Sequence, residues 1–364
     1  MKEPDKPAAI TRLTWFEKNP KKTWLIIFVL ILLFTEAALR IINPPIFIFL
    51  TDFSKIFDVH PRWISDLKPN STAHIVLDKP PLNFLVTINK FGFRDYDRPV
   101  DHYPGMDVES LPKDKWSFIH AIGDSFTMGW GGNYEASYPA ILNSMLSGVQ
   151  VLNLGVPGFG TIGATEKSLA LWDKFPASQV IYFFCDNDPD DDAKSITNLE
   201  YYLKYFSYRL RSHSYLGSLP YIIKWYFYYK NSSKVFDYDE EYHGLRHSAL
   251  PPDAVMKIPS LDLPADSSTA AEENMTRIKN SVAYLEKYHD FVKKNGARLV
   301  VIALDSPRAR IFREQCLTLG IEVVIFKIPE GAVMRGEGHL NEFGNYIVAS
   351  MVARMIKNDF HPSR

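Results

Sequence analysis

Cysteine is scarce in this chain. Only Cys185 and Cys316 occur in 364 residues, too few and too far apart for a disulfide framework, so both read as free, buried thiols and say little about the redox compartment. An excess of charge of either sign is lacking as well. Forty-one Lys and Arg stand against 42 Asp and Glu, a formal net charge of −1, which gives no basic field to gather a polyanion and argues against nucleic acid as a partner. Neither an internal repeat nor a long low-complexity tract is present, which excludes solenoid and array architectures. A spaced His and carboxylate set is missing too, so no metal or other cofactor is expected. The acidic run Asp186, Asp188, Asp190, Asp191 and Asp192 reads as a helix N-terminus, where the dipole favours negative charge, rather than as a hard-cation site.

One long apolar run is present. Thr23 to Ile42 is about the ~20 residues that a helix needs to cross the hydrocarbon core, although Glu36 and Arg40 interrupt its second half. Four apart, those two charges share one helical face and can pair or reach the interface. Lys2, Lys6, Arg12, Lys18, Lys21 and Lys22 precede the run. A basic flank on that side favours a cytoplasmic N-terminus and places the bulk of the chain outside the cytoplasm, periplasmic or at the cell surface. A cleaved signal peptide is the competing reading, since the uncharged part of the run fits an h-region. The long basic segment, Glu36 at the small-residue site and the renewed apolar stretch from Ile46 to Leu50 favour a retained anchor.

The length suits one catalytic domain with additions. Residues 1–22 form the cytoplasmic segment and 23–42 the transmembrane helix. Residues 43–115 are rich in proline and carry short β-like stretches at 73–77 and 84–88, which reads as a linker and a small β-element. From 116 to 358, buried-strand candidates at 117–122, 149–153, 179–184, 298–303 and 321–326 alternate with helical periodicity at 140–146, 163–175, 270–294 and 308–317. Alternation of that kind predicts right-handed crossovers and a parallel sheet covered on both faces, an α/β fold of three layers. An insertion at about 190–268 is far longer than a crossover needs. It holds a predicted helix pair, 196–211 and 215–229, and reads as a cap beside the active-site end of the sheet, with plain packing decoration as the alternative.

Four polar stations fall at strand ends. Gly123-Asp124-Ser125 follows the first of these strands, at the carboxyl edge where open α/β folds bind ligands. Asn153 to Gly160, crowded with glycine, follows the second. Cys185-Asp186-Asn187-Asp188 follows the third, and Glu337-Gly338-His339-Leu340-Asn341 the last. A His able to take a proton from Ser, with backbone N–H groups and an Asn amide to hold an oxyanion, is what acyl transfer requires. His120, inside the first strand, reads as a satisfied core histidine, and His213, His243 and His247 as surface residues.

Over roughly residues 115–358 this order of blocks resembles the SGNH/GDSL hydrolase superfamily. The resemblance implies a flavodoxin-like sandwich with a five-stranded parallel sheet. It also implies Ser125 as nucleophile, His339 as base, and an oxyanion hole from the N–H groups of Ser125 and Gly158 and the side chain of Asn187. The stretch Asn89-Lys90-Phe91-Gly92-Phe93-Arg94, behind the anchor, is similar to membrane-anchored bacterial members. Two positions depart from the family pattern: Cys185 replaces a glycine two before Asn187, and Gly336 stands where the triad Asp is expected, three before His339. Glu337 is the nearest carboxylate and Asp305 a second candidate. The function so implied is a membrane-anchored serine esterase acting on O-acyl esters, above all O-acetyl esters, of a cell-surface glycan or lipid. An O-acyltransferase using the same acyl-enzyme is the first rival, and a non-catalytic glycan-binding or assembly protein the second.

Overall fold

The computed structural model of the chain describes residues 14–42, 55–58, 60, 65–78, 81–95, 117–194, 198–220, 223, 268–334 and 338–360. Helix α1, Pro20–Ile42, is followed by a hairpin of β1, Ser71–Asp78, and β2, Pro81–Ile88. Five further strands form the parallel sheet: β3 Ser117–Gly123, β4 Val149–Asn153, β5 Ala177–Phe184, β6 Arg298–Leu304 and β7 Glu322–Phe326. Their order is β4-β3-β5-β6-β7, so the second strand lies outside the first and the rest follow on the other side. Strand order reverses at the gap between β3 and β5. In a doubly wound sheet the crevice at that reversal, beyond the carboxyl ends of the strands, is where ligands bind.

Alternation along each strand sorts the core into two faces. Val180, Tyr182 and Phe184 of β5 join one buried cluster, while Ile181 and Phe183 join the other. The first face is covered by α4, Thr161–Trp172, by α7, Ser268–Lys294, and by α8, Pro307–Leu317. On the second lie α3, Tyr138–Met145, and α9, Glu342–Phe360. A strand buried on both faces must read as a continuous apolar run, which is why Gln179 is the last polar residue of β5 before the edge where the site begins. Phe184 stacks on Phe312 of α8 with ring centroids 4.0 Å apart; burying such a ring stabilises by about 1.5–3 kcal/mol.

The proline-rich region is tied closely to the domain. Ile56, Phe57, Leu67, Ala73, Ile75, Phe84, Val86 and Ile88 belong to the same cluster as the first face of the sheet. Arg94 forms a bridge with Asn153 at the end of β4. Lys167 of α4, buried, donates to the Gly92 carbonyl at 2.7 Å and pairs with Asp66. The described part of residues 43–115 therefore packs as part of the core of the sheet-bearing domain, because its alternating apolar side chains find a partner face there.

Two of the remaining segments lie apart from the sheet. Helix α1 buries none of its residues, has a mean hydropathy of 2.6 over its most apolar window, and is long and apolar enough to cross a membrane. Within the insertion, α6 spans Asn198–His213 and residues 215–220 are helical again. Most of the second helix expected there, together with His243 and His247, lies outside the described residues, whereas His213 is exposed.

Candidate active site

Ser125 opens a one-turn helix, α2, Ser125–Met128, immediately beyond β3. The turn is built by its neighbours. Asp124 caps the helix, its carboxylate accepting the Phe126 N–H at 2.8 Å, and Gly129 closes it in the left-handed conformation, φ 80°. Gly123 at φ 148° has no room for a side chain, since a Cβ there would come within 2.4 Å of the Thr127 hydroxyl and 2.8 Å of the Phe183 carbonyl. The turn is pressed so tightly against β5 that the serine must project outward at the reversal of strand order.

The loop after β4 packs onto that turn. Asn153 donates from Nδ2 to the Met128 carbonyl at 3.2 Å, and the Val156 N–H donates to the Gly123 carbonyl at 3.1 Å. At Gly155 a Cβ would sit 2.2 Å from the Met128 nitrogen, so only glycine admits this approach. Three residues further on, Gly158 is exposed and faces open space. Among the described residues neither the Ser125 N–H nor the Gly158 N–H has an acceptor.

His339 arrives from the opposite end of the chain. Its Nε2 lies 2.6 Å from Ser125 Oγ, and its ring rests on Phe126 with centroids 4.8 Å apart. The loop carrying it is pinned on both sides: the Met334 N–H donates to the His339 carbonyl at 2.8 Å, and Val333 pairs with Leu340. Asn341 accepts the Gly344 N–H at 3.0 Å, capping α9, while its Nδ2 donates to the Gly331 carbonyl. Of the carboxylates considered for orienting the imidazole, Glu337 lies outside the described residues. Asp305 is engaged elsewhere: both its oxygens accept from Arg310, at 2.7 and 2.8 Å, and no hydrogen bond joins it to His339 among the described residues. Arg310 and Lys327 hold its carboxyl below the usual carboxylate range.

Asn187 follows β5 and is exposed, with Nδ2 donating to Asp191 at 2.7 Å. That bond uses one of its two amide protons. The acidic run does begin a helix, α5, Asp188–Asp192, as the dipole argument expects. Its members are dispersed: Asp190 pairs with Arg277 and Arg308, and Asp192 accepts the Ile162 N–H at the start of α4. Behind Ser125, Asp124, Cys185 and Asp188 lie buried with their ligand-type atoms within 4.8 Å of one another. Here the thiol donates to Asp124 Oδ1 at 3.2 Å, and Asp188 accepts from the Tyr182 hydroxyl at 2.6 Å and the Cys185 N–H at 3.0 Å. Burial, reinforced by Asp124, pushes both the Cys185 thiol and the Asp188 carboxyl well up. Burial also raises Asp124, against the pull of the Phe126 N–H, the Cys185 thiol and the charge of His339. With these mutual hydrogen bonds the cluster reads as a platform beneath Ser125. Cys316 is likewise free and buried, its thiol pushed up to about 12.

Arg94 is the residue whose role the sequence did not disclose. Fully buried, it donates to the carbonyls of Met128 at 2.9 Å, Gly129 at 2.7 Å, Gly132 at 2.7 Å and Leu85 at 3.0 Å. It thereby ties the hairpin to the turn that ends α2. Its only sequence signal is its place at the end of the Asn89–Arg94 stretch.

Solved structures similar to this chain include esterases. The psychrotrophic esterase EstA from Pseudoalteromonas sp. matches at 11% identity and TM-score 0.38, over 67% of this chain and 99% of its own. An aryl esterase from M. smegmatis matches at 13% identity and TM-score 0.34, over 66% and 99%. A candidate lipolytic protein of the G-D-S-L family from Desulfitobacterium hafniense DCB-2 matches at 12% identity and TM-score 0.37, over 65% and 98%. At such scores these likenesses set no constraint on the reaction. No family model matches the chain, nor does the sequence of any curated protein.

Proposed function

We propose that the chain is a membrane-anchored serine ester hydrolase of the SGNH/GDSL type. The observation that carries the reading is the 2.6 Å approach of His339 Nε2 to Ser125 Oγ at the reversal of strand order. Ser125 attacks the ester carbonyl as its proton passes to His339 Nε2, and the carbonyl electrons move onto oxygen. The N–H groups of Ser125 and Gly158, joined by the Asn187 amide, receive that oxyanion. Collapse expels the alcohol, which takes the proton from His339. Water then attacks the acyl-enzyme with His339 again as base, releasing the acid and free Ser125.

The substrate in this reading is an O-acyl ester, above all an O-acetyl ester, of a cell-surface glycan or lipid. Support for it comes from the anchor: a basic segment precedes an exposed apolar helix, which favours a cytoplasmic N-terminus and a catalytic domain outside. Labelling with a fluorophosphonate probe tests the chemistry. Wild type should label and lose activity on an aryl acetate, and Ser125→Ala should do neither; equal labelling of both would reject the nucleophile. A reporter fused after residue 60 should be active only outside the cytoplasm, and cytoplasmic activity would reverse the topology.

A further inference from the structure

The apolar run of α1 is broken by Glu36 and Arg40, and the structure gives both a use. They pair with each other at 2.8 Å. Glu36 also accepts the backbone N–H groups of Tyr215 at 3.1 Å and Leu216 at 2.9 Å and the Ser214 hydroxyl at 3.0 Å. It thus caps the helical run that starts at residue 215, supplying acceptors for donors that a helix N-terminus leaves without partners. Arg40 donates to the His213 carbonyl at the end of α6 and lies over the Tyr215 ring. The junction between α6 and the next helix is therefore clamped to the last two turns of α1.

The height of that clamp follows from helix geometry. At 1.5 Å per residue, Glu36 and Arg40 stand about 20 and 25 Å along the helix from Thr23. A hydrocarbon core of about 30 Å that begins near Thr23 ends just beyond them. Polar groups at that depth need partners within the protein, and the backbone capping supplies them. Helix α6 leaves this junction with an apolar stripe on its surface. Leu199, Leu203, Phe206 and Leu210 recur at intervals of four, three and four residues, which places them on one face. Leu199, Leu203 and Phe206 are 68, 58 and 65% exposed. Leu219 and Ile223 continue the exposed apolar surface past the junction.

We infer that α6 and the helical run after it lie in the outer-leaflet interface of the bilayer that α1 crosses, with the 199–203–206–210 stripe turned into the acyl chains. The occupant is lipid, because the clamp joins the helix that bears the stripe to the last two turns of α1, an exposed helix long and apolar enough to cross a membrane. The inference rests on the membrane-anchor reading of α1. It adds a second attachment, which holds the catalytic domain against the surface and presents the site to esters carried at or near it.

Full-length protein in vesicles of phosphatidylethanolamine and phosphatidylglycerol, some with brominated acyl chains, tests this. An environment-sensitive fluorophore is placed singly at Leu203→Cys, Phe206→Cys, Leu30→Cys in α1, and Glu322→Cys on the far edge of the sheet; both native cysteines are buried. The 203 and 206 probes should emit at shorter wavelength and be quenched by brominated lipid as the Leu30 probe is, with the 322 probe unaffected. Glu36→Ala should weaken quenching at 206 and leave it intact at Leu30. Water-like emission at 203 and 206 with a quenched Leu30 probe would overturn the interfacial helix and spare the anchor. A Leu30 probe in water would overturn both. Shielding at 203 and 206 that fades on dilution of protein in lipid, without bromine quenching, would assign the stripe to a second copy and reject lipid.

Discussion

Replacing Arg94 by Met removes a buried cation while keeping much of its volume. Its four hydrogen bonds to carbonyls are charge-assisted, and at the low end of about 1.5 kcal/mol each they contribute roughly 6 kcal/mol. Against this stands the desolvation of the guanidinium, which lowers its pKa from 12.5 to about 10. A depression of that size offsets on the order of 3 kcal/mol. The net loss on Arg94→Met is therefore about 3 kcal/mol, or about 6–12 °C in Tm for a domain of this size. Thermal unfolding of the full chain in detergent measures it. Because Met128 and Gly129 end the turn that carries Ser125, the proposed nucleophile, the kcat of the folded variant on an aryl acetate should also fall by at least about tenfold, the scale expected when a reacting group is misplaced. A variant within about 0.5 kcal/mol of wild type and equally active would refute the reasoning, and would mean that water replaces the guanidinium at no cost.

The other predictions concern the oxyanion hole and the core. Asn187→Ala should lower kcat by about 10²-fold, the equivalent of ~3 kcal/mol for one lost oxyanion donor; an effect confined to KM would place the amide in substrate binding. His120 is buried between the Ser168 hydroxyl at 2.7 Å and the Phe175 carbonyl at 2.8 Å, and burial pulls its pKa from 6.5 down to about 4. The unfolded chain therefore binds the extra proton first, so this contribution of about 3 kcal/mol is complete above pH 6.5 and is lost as pH falls towards 4. Urea midpoints of wild type and His120→Gln, compared at pH 7 and pH 4.5, should show the steeper loss in wild type, and parallel losses would sink the assignment.

The parallel sheet was legible in the sequence because strands buried on both faces leave a signal no surface strand can imitate: Val-Ile-Tyr-Phe-Phe over 180–184 and Leu-Val-Val-Ile-Ala over 299–303 read as continuous apolar runs. The meeting of Ser125 with His339 was legible for a topological reason, since every crossover returns the chain to the same edge of such a sheet and polar residues after strands must converge there. Side-chain direction was not legible in the same way. Asp305 stands at a strand end like the others, yet Arg310, five residues on, holds its carboxylate through a local pair that strand spacing does not reveal. The hairpin's part in the core escaped because Ile75 and Phe84 look alike whether they face a linker's own partner strand or the first face of a sheet.

Residues that break a local rule proved the most informative once their partners were visible. In the apolar run of α1, Glu36 and Arg40 are a cost to insertion if taken alone, and pairing at i and i+4 only reduces it. Against the structure they become acceptor and donor for a backbone junction that would otherwise expose polar groups beside lipid. Arg94 obeys the same logic in the domain: an unpaired cation is prohibitive in a core, but a guanidinium facing four converging carbonyls is what lets a hairpin, a nucleophile turn and a strand end close on one another. In both places a charge stands where the chain joins two elements, and it bonds to backbone groups of the junction. In the proposed reading, the placement of Ser125 depends on the second junction, and its distance from the bilayer on the first.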